Sequence, residues 1–212
     1  MDEHLLRYQK DTTYCVLDVE TECLNLNLES NFFWQAGLLQ GKGDAIVNSK
    51  SYFLKWDRPL NVSVGAAKVT HFDPYKVEKE SRPEKEVFDM AYEQFKSCDW
   101  LIGSNVLGFD AYLLRHWHKR HKADFSYFLP KLIDIHCLMK GVKLQIPYKQ
   151  GDDLLEYQYR MLHTVKKGLK TNLTALGKEF QINFDPESLH NAENDIILTF
   201  QIWNKCKWLV EL

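Results

Sequence analysis

The sequence has no long hydrophobic run, no C-x-x-C pair and no strong excess of either charge. No apolar stretch approaches the roughly 20 residues that a membrane-spanning helix needs, and the charged start, MDEHLLRYQKD, lacks the apolar segment of a signal peptide. Five scattered cysteines argue against a disulfide framework and against a structural zinc site. These absences predict a cytoplasmic protein without membrane association, or a virus-encoded protein that acts in the host cytoplasm.

The overall composition is that of an ordinary globular protein, with 45% hydrophobic and 26% charged residues. A net charge of −2 gives no global attraction to a polyanion, so any nucleic-acid binding must come from local patches or bound metal ions. The length of 212 residues fits one domain. We predict a single domain over residues 1–212, with an insertion or flap at about 141–170.

Hydrophobic periodicity predicts an α/β layout in which a mixed sheet lies between helices. Predicted strands lie at about 12–20, 32–40, 45–54, 100–103 and 132–135, the first three forming a meander. Predicted helices lie at about 64–70, 84–97, 110–122, 154–165, 171–180 and 188–208, with Thr171 as a candidate cap of the fifth.

The first strand carries two carboxylates on one face. Side chains alternate across a strand, so Asp18 and Glu20 point the same way, while Leu17 and Val19 point to the other face. Two like charges held side by side repel each other, and a cation between them relieves that repulsion. The strand therefore predicts a metal site.

Three further groups lie where a strand or helix ends. Asp110 begins a predicted helix, and His190 and Asp195 lie at the start of the last one. Each alone also fits an ordinary role as a helix cap or first-turn residue. Together, these hard oxygen ligands favour Mg²⁺ or Mn²⁺ over zinc. Two such ions about 4 Å apart can hold the attacking and leaving oxygens of a phosphodiester, and a neutral histidine can accept a proton from water.

The ordered set of three motifs resembles the DEDDh family of 3′–5′ exonucleases, which includes proofreading subunits of bacterial replicative polymerases and ribonuclease T. The motifs stand here as Asp18-Val19-Glu20-Thr21, Asn105-Val106-Leu107-Gly108-Phe109-Asp110 and His190-Asn191-Ala192-Glu193-Asn194-Asp195. Asn191 occupies the position at which a related class has tyrosine, so the histidine class is the better match.

The resemblance implies an RNase H-like fold, with a five-stranded mixed sheet flanked by helices, and two divalent metal ions. It implies that Asp18 bridges both ions and that Glu20 and Asp195 complete the shell of the first. Asp110 would hold the second ion through water, and His190 would be the general base.

The resemblance also implies contacts with the substrate. Thr21, Leu24, Asn105 and Phe109 match positions at or near the terminal nucleotide, and His71 and Phe72 could stack on a base or sugar. For His71 and Phe72, a partly buried loop anchor is the alternative. Asp134 matches an acidic position that we interpret as structural. Glu22 and Cys23 depart from the family pattern, and Glu22 is expected to add negative charge beside the 3′ end.

Two basic segments leave alternatives open. Residues 141–170 contain basic and aromatic side chains that could form a strand-guiding flap or a solvated helical insertion. Residues 116–122 (HWHKRHK) could form a basic surface near the nucleic-acid path or a solvated helix end.

The resemblance predicts a metal-dependent 3′–5′ exonuclease that acts on single-stranded DNA in proofreading or repair, with a DNA polymerase as a candidate partner. The first alternative is an exoribonuclease or oligoribonuclease-like enzyme acting on RNA 3′ ends. The second is a non-catalytic module that binds nucleic acid or a polymerase.

Overall fold

The computed structural model describes residues 11–26 and 31–212. The strands are β1 (Thr13–Thr21), β2 (Phe33–Lys42), β3 (Ala45–Lys55), β4 (Arg82–Pro83), β5 (Trp100–Gly103) and β6 (Leu132–Asp134). The α-helices are α1 (Val64–Thr70), α2 (Pro74–Glu80), α3 (Glu84–Ser97), α4 (Asp110–Arg120), α5 (Ile135–Lys143), α6 (Leu154–His163), α7 (Leu173–Glu179) and α8 (Ala192–Cys206).

The strands form one mixed sheet in the order β4-β3-β2-β1-β5-β6. The meander β1-β2-β3 is antiparallel, whereas β5 runs parallel to β1, and β6 runs parallel to β5. The prediction of a mixed sheet flanked by helices is confirmed, but the count of five strands is wrong. The sixth strand is the two-residue β4, which pairs with the end of β3 and is too short, with a proline in it, to show a strand pattern.

One face of the meander packs against α8. The ring of Tyr14 lies 6.1 Å from the rings of both Phe200 and Trp203. Gly37 pairs with Asp18 across β1 and β2, and a Cβ atom at Gly37 would lie 2.4 Å from the carbonyl oxygen of Ala192. The start of α8 therefore lies directly on β2, beside the carboxylate strand, because position 37 has no side chain.

The opposite face packs against α3 and α4. The ring of Phe33 lies 4.8 Å from that of Trp117, which in turn lies 5.0 Å from Phe88. These three aromatic residues are buried, so the sheet is covered on both faces.

Some helix boundaries differ from the predictions. Helix α8 begins at Ala192, with Asn191 as its cap, whereas the prediction began it at residue 188. The cap of α7 is Asn172, and the Thr171 hydroxyl instead lies 2.9 Å from Nδ1 of His136. The short helices α2 and α5 were not predicted, because α2 lies in a proline-containing segment and α5 follows β6 without a loop.

Residues 141–170 include α6, which is tied to the sheet. The buried side chain of Gln158 accepts a hydrogen bond from the backbone of Asp134 at 2.6 Å and donates one to the Leu132 carbonyl at 3.0 Å. The description of this segment as an insertion or flap stays a prediction, as does the single domain over 1–212. Within the described ranges, no helix is long and apolar enough to cross a membrane.

Candidate active site

Glu20, His190 and Asp195 form a cluster of ligand groups at the edge where β1 ends. One side-chain ligand atom from each lies within 4.8 Å of the other two. Glu20 comes from β1, and Asp195 lies in the first turn of α8. His190 precedes the helix in a left-handed conformation (φ 62°), and its backbone N–H donates to Oδ2 of Asp195 at 3.2 Å. The expectation that His190 and Asp195 share one helix is therefore wrong, and a turn before α8 brings them together.

Asp110 reaches the same edge from α4. It is the first residue of that helix, and its Oδ1 accepts a hydrogen bond from the backbone N–H of Val19 at 3.2 Å. Val19 lies between Asp18 and Glu20, so the bond holds Asp110 against the carboxylate strand. Asp110 does lie in the first turn of α4, which is the ordinary structural role considered for it. Its carboxylate, however, is hydrogen-bonded to β1.

The pKa values of all four carboxyl groups are raised. Burial, followed by repulsion from Asp110, Glu20 and Asp195, raises the pKa of Asp18 well above its usual range. Burial and then the charges of Asp195 and Asp110 raise the pKa of Glu20 to about 8. Burial is also the main cause that raises the pKa values of Asp110 and Asp195 to about 7. The ionised cluster is therefore unfavourable without a compensating cation.

The donor atoms fit a hard divalent cation. Oδ1 of Asp195 is buried and has no hydrogen-bond partner among the described residues, so it has an unused lone pair. Glu20 supplies a further carboxylate oxygen, and no cysteine belongs to the cluster. Asp18 and Asp110 lie outside this closest group, but their charges interact with Glu20. Such an oxygen-rich set suits Mg²⁺ or Mn²⁺.

His190 presents an exposed side chain next to this cluster. Partial burial and the charge of His71 lower the pKa of His190, which keeps its imidazole neutral at pH 7. His71, which caps the end of α1 in a left-handed conformation, therefore lies near His190. Phe72 is partly buried, and its ring packs against Trp34 at 5.0 Å, so the alternative of a loop anchor describes Phe72 well.

The other predicted substrate residues have different surroundings. The buried Thr21 donates its hydroxyl to the carbonyl of Cys23 at 2.7 Å, within its own turn. Leu24 is 87% exposed, and Asn105 is exposed in a left-handed conformation. Phe109 is partly buried and packs against the core. Leu24 and Asn105 are thus available to a ligand, whereas Thr21 and Phe109 also serve the fold.

The expectation for Glu22 is wrong. Its carboxylate is buried and accepts hydrogen bonds from the Arg58 guanidinium at 2.6 and 2.8 Å and from the Phe32 backbone at 2.7 Å. Burial alone would raise the pKa of Glu22, but the bonds from Arg58, Asn61 and Phe32 hold it below its usual value. Glu22 therefore joins two loops and is not a free charge beside the site. Arg58 is too distant in sequence for a local pattern to indicate this pair.

Sequence reasoning missed residues that position the site. Gln35 pairs with Glu20 across the sheet, and its Oε1 lies 3.5 Å from the backbone N–H of Ala192. The available signal was a glutamine in the middle of the mostly apolar run FWQAGLL of β2. Asp134, predicted to be structural, accepts hydrogen bonds from the backbones of Asn105 and Leu107 at 2.9 and 3.0 Å. It thereby fixes the turn that leads to Asp110.

Comparisons with known proteins identify the fold. No protein-family model matches the sequence, and no curated protein does. The zinc-bound complex of E. coli exonuclease I with single-stranded DNA superimposes with a TM-score of 0.72 at 15% identity, covering 93% of this chain and 41% of that one. The complex of E. coli exonuclease I with a dT13 oligonucleotide gives a TM-score of 0.72 at 17% identity, with the same coverage.

A moderately thermophilic exonuclease I from Methylocaldum szegediense also gives a TM-score of 0.72 at 17% identity, covering 93% of this chain and 40% of that one. The chain thus spans about two fifths of the length of the exonuclease I chains that it matches. These superpositions confirm the predicted fold: the chain has the RNase H-like fold of exonuclease I.

Proposed function

We propose that the protein is a metal-dependent 3′–5′ exonuclease that releases nucleoside 5′-monophosphates from single-stranded DNA. The observation that carries this proposal is the convergence of four carboxylates and a neutral histidine at one edge of an exonuclease I-like sheet. Exonuclease I itself has been solved with single-stranded DNA and with a dT13 oligonucleotide, which supports DNA as the substrate.

In this proposal Asp18, Glu20 and Asp195 would hold one divalent ion, and Asp110 would hold a second together with Asp18. When bound, Mg²⁺ or Mn²⁺ neutralises the carboxylates and stabilises the charge that develops on the phosphodiester oxygens. The unused Oδ1 of Asp195 supports its role as a ligand.

His190 accepts the proton from the water that attacks the terminal phosphorus. Its exposure gives that water access, and its lowered pKa keeps the accepting nitrogen unprotonated at pH 7. The bond between phosphorus and the 3′-oxygen of the penultimate nucleotide breaks as the water oxygen bonds to phosphorus. The 3′-oxygen then takes a proton from solvent and remains as the 3′-hydroxyl of the shortened strand. Leu24, Asn105 and His71 contact the terminal nucleotides, with Thr21, Phe72 and Phe109 supporting them.

A ladder assay tests this function. With Mg²⁺ or Mn²⁺, a 5′-labelled dT15 strand should shorten one nucleotide at a time, and a chelator or Asp18→Asn should stop the reaction. Glu93→Gln is the matched control, since it removes an exposed carboxylate on α3 and should leave the ladder intact. Hydrolysis that persists in Asp18→Asn would refute the assignment.

A parallel assay with a matched RNA strand decides between the alternatives. A preference for RNA would make the protein an exoribonuclease, and metal-independent binding without hydrolysis would make it a binding module. A polymerase partner and a role in proofreading or repair stay predictions that rest on the family resemblance.

A further inference from the structure

Helix α4 carries a row of aromatic and basic side chains that leads away from Asp110. Tyr112, Arg115 and Lys119 are spaced three and four residues apart, so they lie on one face of the helix, and Lys122 follows in the next turn. We call these four residues the α4 stripe. All four are exposed, whereas the opposite face of α4 is buried in the core.

The stripe lines an open groove of about 600 Å³ to which Phe125 contributes an aromatic side chain and to which no acidic residue contributes. Across the described ranges, Arg115, Lys119 and Lys122 form no ion pair with a carboxylate. Arg120, on the same helix, differs because it pairs with Asp57 at 2.5 Å. The groove therefore has three cations whose charge is not compensated within the fold.

Helix α6 approaches the same stripe. Burial and then the charge of Tyr112 raise the pKa of Tyr159, while Arg115 lowers it. A tyrosine of segment 141–170 therefore lies within electrostatic range of the stripe, although it does not line the groove.

Helix stabilisation does not explain the stripe. Basic side chains in a last turn interact favourably with the helix dipole, and Lys119 is in the last turn of α4. Tyr112 and Arg115 lie before that turn, and Lys122 lies after the helix. A phosphate backbone with stacked bases fits all four residues, because cations bind phosphates and aromatic rings stack on bases.

We propose that the α4 stripe binds single-stranded DNA on the 5′ side of the bond that is cut. Internucleotide phosphates contact Arg115, Lys119 and Lys122, and bases stack on Tyr112. At about 1.5 Å per residue, the stripe extends about 18 Å from Asp110, which corresponds to about five stacked nucleotides. The polarity rests on the proposed exonuclease function, since it places the 3′ end at Asp110.

A binding measurement tests the stripe without catalysis. The whole protein is titrated with fluorescent dT15 in EDTA at several salt concentrations, and is compared with Arg115→Gln/Lys119→Gln/Lys122→Gln. The salt slope is the slope of the logarithm of the binding constant against the logarithm of the salt concentration. Loss of three phosphate contacts should reduce the size of this slope by about 2. If the variant and the wild type bind equally at 1 M salt, the variant should then bind about 100-fold more weakly than the wild type at 0.1 M salt. The control is Lys55→Gln/Lys178→Gln/Lys205→Gln, which removes the same charge and includes last-turn lysines of α7 and α8.

The single variants keep the test decisive if the triple variant does not fold. Each should lower the salt slope by about 0.7, and Tyr112→Leu should weaken binding while Tyr112→Phe retains it. An equal loss in the control triple, or unchanged slopes in folded variants, would overturn the proposal. A loss seen with rU15 but not with dT15 would overturn the assignment to DNA.

Hydrolysis separates this proposal from the proposed function. With Mn²⁺, the triple stripe variant should lose kcat/KM about 100-fold on dT15. It should keep kcat/KM on a labelled dT2, because the one phosphodiester of dT2 is the bond that is cut and no internucleotide phosphate is left for the stripe to bind. If the wild-type protein cleaves neither strand, the exonuclease function fails while the binding result still decides the stripe. If it cleaves both and the stripe variants match it, the stripe fails and the exonuclease function stands.

Discussion

Replacing Asp110 with asparagine should make the metal-free protein more stable at pH 8, although the same change should abolish hydrolysis. The isosteric amide keeps an oxygen that can accept the hydrogen bond from Val19. It removes a negative charge from the neighbourhood of Asp18 and Glu20, whose pKa values are raised in part by that charge. The variant gains stability because the repulsion among the carboxylates is smaller and because a neutral amide costs less to bury than a carboxylate.

The raised pKa fixes the size and sign of the effect. The pKa of Asp110 rises from 3.8 to about 7 through burial, and each pKa unit corresponds to about 1.4 kcal/mol. The folded state therefore binds a proton that the unfolded state releases between about pH 4 and pH 7. The free energy of unfolding of the wild type falls over this interval, and that of Asp110→Asn falls less. We expect a difference of about 2–4 kcal/mol above pH 7, because the repulsion is shared with other groups, and almost none at pH 4.

Urea unfolding in EDTA at pH 4, 6 and 8 measures this difference, with the slope of the transition as a check on two-state behaviour. Asp99→Asn is a control of opposite sign. Hydrogen bonds from the backbone and side chain of Thr13 lower the pKa of Asp99, so this variant should lose stability above pH 4. The reasoning is refuted if Asp110→Asn unfolds more easily than the wild type at pH 8 in EDTA.

Three further predictions concern the metal ions, the contact between α8 and β2, and the buried ion pair. Binding of Mg²⁺ or Mn²⁺ at pH 7 should release about one or two protons, because the pKa values of Glu20, Asp110 and Asp195 are about 7 to 8. Titration calorimetry in buffers of different ionisation enthalpy measures this release. Identical binding heats in all buffers would contradict the prediction. Gly37→Ala should lower the free energy of unfolding by about 1–3 kcal/mol and remove most of the activity, because its Cβ would displace Ala192. Gly65→Ala is the control, since its Cβ would enter open space, and it should change neither stability nor activity. Glu22→Gln should lower the free energy of unfolding by about 2–3 kcal/mol, as it leaves Arg58 without its partner; a change within error in thermal unfolding would show that the pair does not stabilise the fold.

Much of the fold follows from local patterns. The alternation of β1, the turn after β2 and the apolar spacing of α3 fixed those elements within one or two residues, because each pattern is contained in a short window. The two-residue β4 is too short to show a period, and α2 lies in a segment whose prolines, Pro74 and Pro83, favour a loop.

The site was predictable in its ligands and less so in its supports. The spacing of Asp18 and Glu20 on one strand face could be read directly, whereas their proximity to Asp110 and Asp195 came from a family resemblance. The pairing of Glu22 with Arg58 and the close approach of Ala192 to Gly37 are long-range contacts, and no local pattern contains them. The Glu22–Arg58 contact is the one that overturned an expectation, namely that Glu22 adds a free negative charge beside the site.

The close approach of α8 to β2 has a consequence for when the carboxylate cluster is completed during synthesis. During synthesis β1 precedes the other five described strands and α8 follows all of them, so Asp18 and Glu20 are made well before Asp195. Docking of α8 against Gly37 is a late, long-range step, and such steps are slow because the intervening chain must first be ordered. A nascent chain thus carries Asp18 and Glu20 without Asp195 until α8 has been made and has docked, so the cluster is completed late.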